Sequence, residues 1–420
     1  MNWNCKFLIV LTCFVTFILS PFPTLVAAKT SSNTTAKTSS AKTTTKKTIR
    51  KVHLWLGLGT GLMVFLISIT GALYAFRDEL FDWAHHDFIY NQNTELNPEI
   101  RLTDLWQVAR NHMGDSIKVT HAITYKIPDR NWEFHADEVD ETAISYFSWL
   151  KYDYIIYVNP VTQKVVGVID HKWEFFHLVK MFHWSLWLRT EYGQPIVGWS
   201  VFIFAISLIS GLILWWPKKR KDTFKSLKIK WDARWRRVNY DLHRTVGFYT
   251  IPFALVLVFT GLVWSFRWFM SLAYIAASMS FTPPNRTEPE SEKSDATFEF
   301  TTIDAVFEDS WKRNPEAHYI AFYEPENDST ATINNYVKND EVVYYNGSRQ
   351  FFDQKSGEML DGITFSQLNN GEKLIYLNYD IHVGAIAGIW GKILAFIVSL
   401  LCASLPVSGF LVWWGRKNKK

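Results

Sequence analysis

Cysteine is nearly absent. The chain has three in 420 residues, Cys5, Cys13 and Cys402, each in or beside an apolar run. The polar parts therefore have no disulfide to close and no thiolate to offer a metal. No Cys-x-x-Cys-His occurs, which excludes a covalently attached c-type haem. Acidic residues are missing from 29–51, although that stretch carries Lys29, Lys37, Lys42, Lys46, Lys47, Arg50 and Lys51. Broken mid-run segments, which a transporter would need, are confined to Pro252 and Pro406, and neither has a charged neighbour in its run. Gly57-Leu-Gly-Thr-Gly61 follows no strand, so it is not a phosphate loop, and close helix packing is the expectation.

Apolar and aromatic residues are abundant, with 31 Phe, 20 Trp and 18 Tyr, and they are gathered in runs at 7–28, 54–76, 196–216, 248–277 and 386–414. At about 1.5 Å per residue each can cross about 30 Å of hydrocarbon, which makes this a mainly α membrane protein. The run ending Trp215-Trp216 is followed by Pro217-Lys218-Lys219-Arg220-Lys221, and the one ending Trp413-Trp414 by Gly415-Arg416-Lys417. By the excess of cations these ends face the cytoplasm with Trp at the interface, and two polar blocks lie outside. From 217 to 240 ten Lys/Arg face two Asp, too short a basic stretch between spans to mean nucleic acid. From 281 to 373 eighteen Asp/Glu face eight Lys/Arg, the balance of an ordinary solvated surface.

These signals divide the chain into segments. They are an anchor or signal segment at 1–28, a Ser/Thr/Lys-rich flexible linker at 29–50, a span at 51–80 and an outer domain at 81–175. There follow a span at 176–217, a basic cytoplasmic loop at 218–240, a span at 241–278, a second outer domain at 279–375, and a last span with a basic tail at 376–420. Val26-Ala27-Ala28 resembles a cleavage site, but seven cations after the first run against one before it favour an uncleaved anchor with its amino terminus outside.

An internal repeat organises the whole. Lys51-Val-His-Leu-Trp-Leu-Gly57 aligns with Asp241-Leu-His-Arg-Thr-Val-Gly247, and without a gap Thr70-Gly71 falls on Thr260-Gly261. Ser210-Gly211 matches Ser408-Gly409, and His183 and His382 are equivalent within one residue, with Gly193 and Gly391 following. The expected fold is a duplicated unit of helix, small α+β domain and helix, giving a four-helix bundle plus an amino-terminal hydrophobic helix. In the outer blocks 103–113 and 302–313 have helical period, 132–136 and 154–158 alternate as strands, and 159–167 and 351–360 read as hairpins.

Ionisable groups near hydrocarbon are costly, so each histidine there is a functional candidate. Alone, any of them could sit at the headgroup level. Matched by the repeat, His53 and His243 share one depth near the cytoplasmic face, and His183 and His382 another near the outer face. Two imidazoles from different helices at one depth are what a haem iron needs on its two sides. Gly57 and Gly247, four residues on, leave a helix face bare for a flat macrocycle. Arg50, Lys51 and Arg244 are placed to meet its propionates. His177, six residues before His183, points to another face of the helix, and His183 is preferred because it matches His382. Zinc is a weaker reading, since only Asp241 and Asp380 accompany these histidines. His85-His86 and Asp87 read as solvated interface residues.

Over 50–417 the pattern resembles the PepSY-associated transmembrane family, which includes iron-regulated inner-membrane proteins and siderophore-interacting reductases. The matching residues are Lys51-x-His53-x-Trp-x-Gly57, Phe182-His183-x-x-Leu186, Asp241-Leu-His243-Arg-x-x-Gly247 and Asp380-x-His382-x-Gly384. Hairpins ending Lys164-Val-Val-Gly167 and Ser356-Gly357-Glu-Met-Leu360 resemble PepSY domains. The resemblance implies two b-type haems, a bacterial inner-membrane location with the soluble domains in the periplasm, and electrons carried to a periplasmic ferric chelate. No flavin domain follows the last run, so the expected donor is a separate cytoplasmic flavoprotein or quinol. No catalytic residue is singled out. The alternative is a non-catalytic PepSY-type interaction or sensing protein, which needs no matched intramembrane histidines.

Overall fold

The computed structural model describes residues 35–96, 99–217, 223–292, 298–325, 328 and 330–417. The run at 7–28 lies outside them, so the expected amino-terminal anchor does too. Helix α1 (Thr35–Tyr74) begins inside the stretch expected to be a flexible linker. Once the span has formed, each further residue adds a hydrogen bond without a new nucleus, so the helix extends backwards.

Among the described residues four helices are long and apolar enough to cross a membrane, with spans at Thr45–Tyr74, Thr190–Trp215, Trp235–Ser265 and Ala385–Lys417. After α1 come α2 (Arg77–Ala84), α3 (Leu102–Met113), strands β1 (His121–Thr124), β2 (Trp132–Val139), β3 (Leu150–Asn159) and β4 (Lys164–Asp170), then α4 (Phe175–Ser185) and α5 (Thr190–Trp215). The remainder comprises α6 (Trp235–Ser265), α7 (Arg267–Ser278), α8 (Thr302–Arg313), β5 (Tyr319–Tyr323), β6 (Thr332–Lys338), β7 (Gly347–Asp353), β8 (Met359–Thr364), α9 (Asn370–Val383) and α10 (Gly388–Lys417). Among the spans, α1 packs against α5 and α10, and α6 against the same two. Ile206, Ile209 and Ile213 on α5 remain 40–48% exposed, an apolar stripe at helical spacing that suits lipid and not water.

The two outer blocks do not form separate sheets. Their strands join in one antiparallel sheet of order β4-β3-β2-β1-β5-β6-β7-β8. The seam is β1 against β5, with His121 opposite Tyr323 and Thr124 opposite Ile320. Strand alternation explains the two faces. Phe134, Ile156, Phe322 and Phe352 point to one side and are covered by α3 and α8 through Leu105, Trp106, Ile303 and Val306. Trp106, Trp132 and Phe134 are exposed by 2% or less, and each such side chain contributes roughly 1.5–3 kcal/mol. Asp304 of α8 accepts from the Thr103 backbone N and pairs with Arg101 at 2.9 Å, tying the two covering helices together. The opposite face carries Glu133, His135 and Asp153 beside Ile155 and Tyr157, and the latter pair packs on Phe81 of α2.

His183 and His382 do not lie on the continuous spans expected at 176–217 and 376–420. They lie on the short helices α4 and α9, each separated from the following span by a sharp corner. Leu186 and Trp187 adopt φ of 58° and 57° at the first corner, and Gly384 adopts 84° at the second. A Cβ on Gly193 would collide with the Ser185 carbonyl oxygen, and one on Gly391 with that of Gly384. These two glycines let the span close onto the end of the histidine-bearing helix.

Candidate haem-binding histidine pairs

Each expected pair of histidines meets. The His53 and His243 ring centroids are 6.2 Å apart with planes at 66°, and those of His183 and His382 are 6.2 Å apart with planes at 61°. Two metal–nitrogen bonds of about 2.0–2.1 Å, plus roughly 1.1 Å from each nitrogen to its ring centre, place coaxial imidazoles about 6.2–6.4 Å apart. Both pairs therefore have the spacing of rings that share one metal. His53 and Thr70, which touches His183, are 17 residues apart on α1, about 25 Å along its axis. The pairs lie near the two ends of the spans, one at the basic end and one at the sheet end.

All four rings are held in the same way. Nδ1 of His53 donates to Ser210 Oγ at 2.9 Å and lies 3.1 Å from the Ser207 carbonyl. Nδ1 of His183 lies 3.1 Å from Thr70 Oγ1 and 2.9 Å from the Ile67 carbonyl. His243 uses Ser408 Oγ at 2.9 Å and His382 uses Thr260 Oγ1 at 2.8 Å. Every one of these hydroxyls spends its own proton on a carbonyl one turn back in its helix, Ser207, Leu66, Ser404 and Val256 respectively. A backbone carbonyl also faces each ring, Ser207 for His53, Ile67 for His183, Leu405 for His243 and Leu257 for His382, and a carbonyl can only accept, so Nδ1 carries the proton and Nε2 keeps the lone pair, the tautomer a metal ligand needs.

The glycine after each hydroxyl completes the seat. A Cβ at Gly211, Gly71 or Gly409 would stand 3.2, 3.1 or 3.2 Å from the Cε1 of His53, His183 or His243, and one at Gly261 would stand 3.5 Å from that of His382. A Ser/Thr-Gly dipeptide on one helix thus orients a histidine on the next.

At the basic end a cavity of about 420 Å³ opens beside the His53–His243 pair, within the usual range of about 300–1,000 Å³ for cofactor sites. Gly57 lines it, and a Cβ there would meet no atom within 4 Å; Gly247 lines it too. Close packing, the sequence expectation for the 57–61 glycines, applies to Gly61, whose Cβ would stand 3.3 Å from Pro406. Arg50, Lys51, Arg244 and Arg416 also border the cavity. Arg244 is anchored to Asp241 at 3.2 Å while its Nε is buried without a partner. Trp215 Nε1 and Ser207 Oγ are likewise buried and unpartnered. Burying such groups unpaired costs about 1–3 kcal/mol each, so a ligand with carboxylates fits the donors that line this space.

The sequence profile of the PepSY-associated TM region family matches residues 50–416. The chain belongs to that family. No curated protein matches it. In this PepSY-associated TM protein His177 does not face His382. Its Nδ1 lies 2.8 Å from Nδ1 of His171, on the sheet side of α4. Asp241 and Asp380, the carboxylates nearest the paired histidines in sequence, are engaged elsewhere. Asp241 pairs with Arg237 at 2.8 Å, and Asp380 accepts from the Tyr344 and Tyr345 backbone N–H groups. His86 is exposed beside Asp87, in keeping with a solvated position. Trp215, expected as an interface anchor, instead stacks on Phe248 at 3.7 Å inside the helices. The orienting role of Ser210, Ser408, Thr70 and Thr260 was missed, although their recurrence before glycine in the repeat was the available signal.

Proposed function

We propose that this protein is a dihaem b-type electron-transfer protein of the bacterial inner membrane that reduces ferric chelates, of the siderophore class, at its periplasmic face. The observation that carries the reading is the twofold recurrence of one arrangement: imidazoles from separate helices at 6.2 Å, each held through Nδ1 with Nε2 free. His53 and His243 would hold one haem, and His183 and His382 the other. A haem held by two imidazoles supplies one-electron exchange at an iron with no position open to oxygen.

The chain's own residues do the rest. Gly57 and Gly247 leave room beside the inner pair, and Arg244 Nε with Trp215 Nε1 offers donors to propionates. The apolar spans keep water from the path between the two ends. The repeat supports reading the spans as a four-helix bundle built by duplication, and the symmetric strand order, four strands on each side of the β1–β5 seam, is consistent with it. Cations at 223–240 and at Arg416 and Lys417 favour a cytoplasmic basic end, leaving the sheet in the periplasm. A separate cytoplasmic flavoprotein or quinol would supply one electron for each ferric ion reduced. Hard oxygen donors hold the divalent ion less tightly, so reduction releases it from the chelate.

The test uses vesicles containing the purified protein and an enclosed, membrane-impermeant reductant, with a ferric hydroxamate and a ferrous indicator outside. Ferrous iron should form only with the protein present, and His243→Ala should abolish it. Equal rates in protein-free vesicles would leave the non-catalytic interaction role as the better account.

A further inference from the structure

The sheet face turned towards the membrane carries a second cluster of donor atoms, away from the paired histidines. Asp153 of β3, His171 in the single turn His171–Trp173 after β4, and His177 in the first turn of α4 converge there. Their donor atoms all lie within 4.8 Å of one another. His171 Nδ1 stands 2.7 Å from Asp153 Oδ2 and 2.8 Å from His177 Nδ1, and His177 Nδ1 stands 3.6 Å from Asp153 Oδ2. Bonds of about 2.0–2.1 Å at tetrahedral angles set donors about 3.3 Å apart, so an ion at the centre requires shifts of under about 1 Å.

The protons are too few for the acceptors. His177 Nδ1 also stands 3.2 Å from His171 Nε2, over the face of that ring, so a proton on His171 Nδ1 that serves the carboxylate does not reach it, whereas a cation between the three, met by a turn of the His171 ring, satisfies all three lone pairs. Side-chain exposures of 17%, 9% and 14% for His171, His177 and Asp153 leave a fourth position within reach of water. The backbone N of His177 is itself pinned by Glu174 Oε2 at 2.7 Å.

We infer that Asp153, His171 and His177 form a binding site for one divalent transition-metal ion, with water in the remaining position. The mixed nitrogen and oxygen donors suit zinc(II) or iron(II) and not magnesium or calcium, which take all-oxygen sites. The ion would join β3, the turn after β4 and the first turn of α4. This site is independent of the haem reading.

The test is a titration of the full-length detergent-solubilised protein, prepared with ample haem supply and stripped by a chelator, with zinc(II) and then cobalt(II). The wild type should take up one zinc per chain, and cobalt should give the visible bands of a low-coordinate nitrogen and oxygen site. His171→Ala and Asp153→Asn should each weaken zinc binding by at least the roughly 10- to 100-fold that loss of a mere supporting residue costs, with haem absorption unchanged. Asp153→Glu should regain most of the affinity, and His53→Ala should bind zinc as the wild type does. Absence of uptake and of cobalt bands in the wild type, wild-type affinity in both ligand variants, or loss of zinc in His53→Ala overturns the assignment.

Discussion

Ser210→Ala and Ser408→Ala remove the hydroxyls that accept from Nδ1 of His53 and His243, 2.9 Å away in each case, and touch nothing at the outer pair. A hydrogen bond from Nδ1 gives the ring anionic character and favours the ferric state, so its loss should raise the reduction potential of the inner centre. One such bond contributes about 0.5–1.5 kcal/mol. For one electron, with 59 mV for each tenfold step, that is roughly 20–65 mV. The shift for Ser210→Ala should lie at the lower end, because the Ser207 carbonyl at 3.1 Å remains available to His53. Thr70→Val and Thr260→Val should move the outer centre by a similar amount and leave the inner one unchanged. Spectroelectrochemical titration of the four variants reads this directly. If inner substitutions move both centres equally, or none moves either, these hydroxyls do not orient ligands.

Other consequences follow from the same geometry. Gly193→Val places a branched side chain where the Ser185 carbonyl stands, so the corner ahead of α5 should open; the haem content should fall by about half, with only the inner centre retained in the reduced spectrum. Arg244→Lys keeps a cation for Asp241 but deletes the buried Nε. A charge-assisted bond of about 1.5–3 kcal/mol predicts a 10- to 100-fold faster haem transfer to apomyoglobin, and an unchanged rate would show that Nε faces no carboxylate. Burial, helped by neighbouring His135, lowers the pKa of His121 to about 3 at the sheet seam. The unfolded ring titrates near 6.5, so between these values the unfolded state binds more protons and stability falls as pH falls. By pH 5.5 the loss should reach about 1.4 kcal/mol, read as up to a tenfold drop in amide-exchange protection of β1 and β5 and cancelled in His121→Gln.

Much of this was legible because membrane burial leaves a strong mark on sequence. Four apolar runs contributed spans, although the one at 248–277 breaks at Phe266 and its last part forms α7, and 302–313 became α8 with the same limits, since Ile303, Val306 and Trp311 repeat at helical spacing. The histidine pairs were legible for a different reason: a repeat turns four ordinary residues into two matched sets. The corners after α4 and α9 were not, because Leu186 and Trp187 carry no turn signal and their positive φ is imposed by packing. Joining of the two sheets was hidden as well, since β1 has only four residues and pairs across the chain with β5. Asp153, His171 and His177 are brought together by β3–β4 pairing and the turn into α4, which no spacing rule conveys.

The most direct measurement is the haem content of the purified chain, by its reduced-minus-oxidised and pyridine haemochrome spectra, with each of His53, His183, His243 and His382 replaced in turn by Ala. Two b-type haems per wild-type chain are expected, with one lost in every variant and the same one lost within each pair. A colourless protein from haem-supplied cells, or four variants that all keep the full complement, would contradict the pairing.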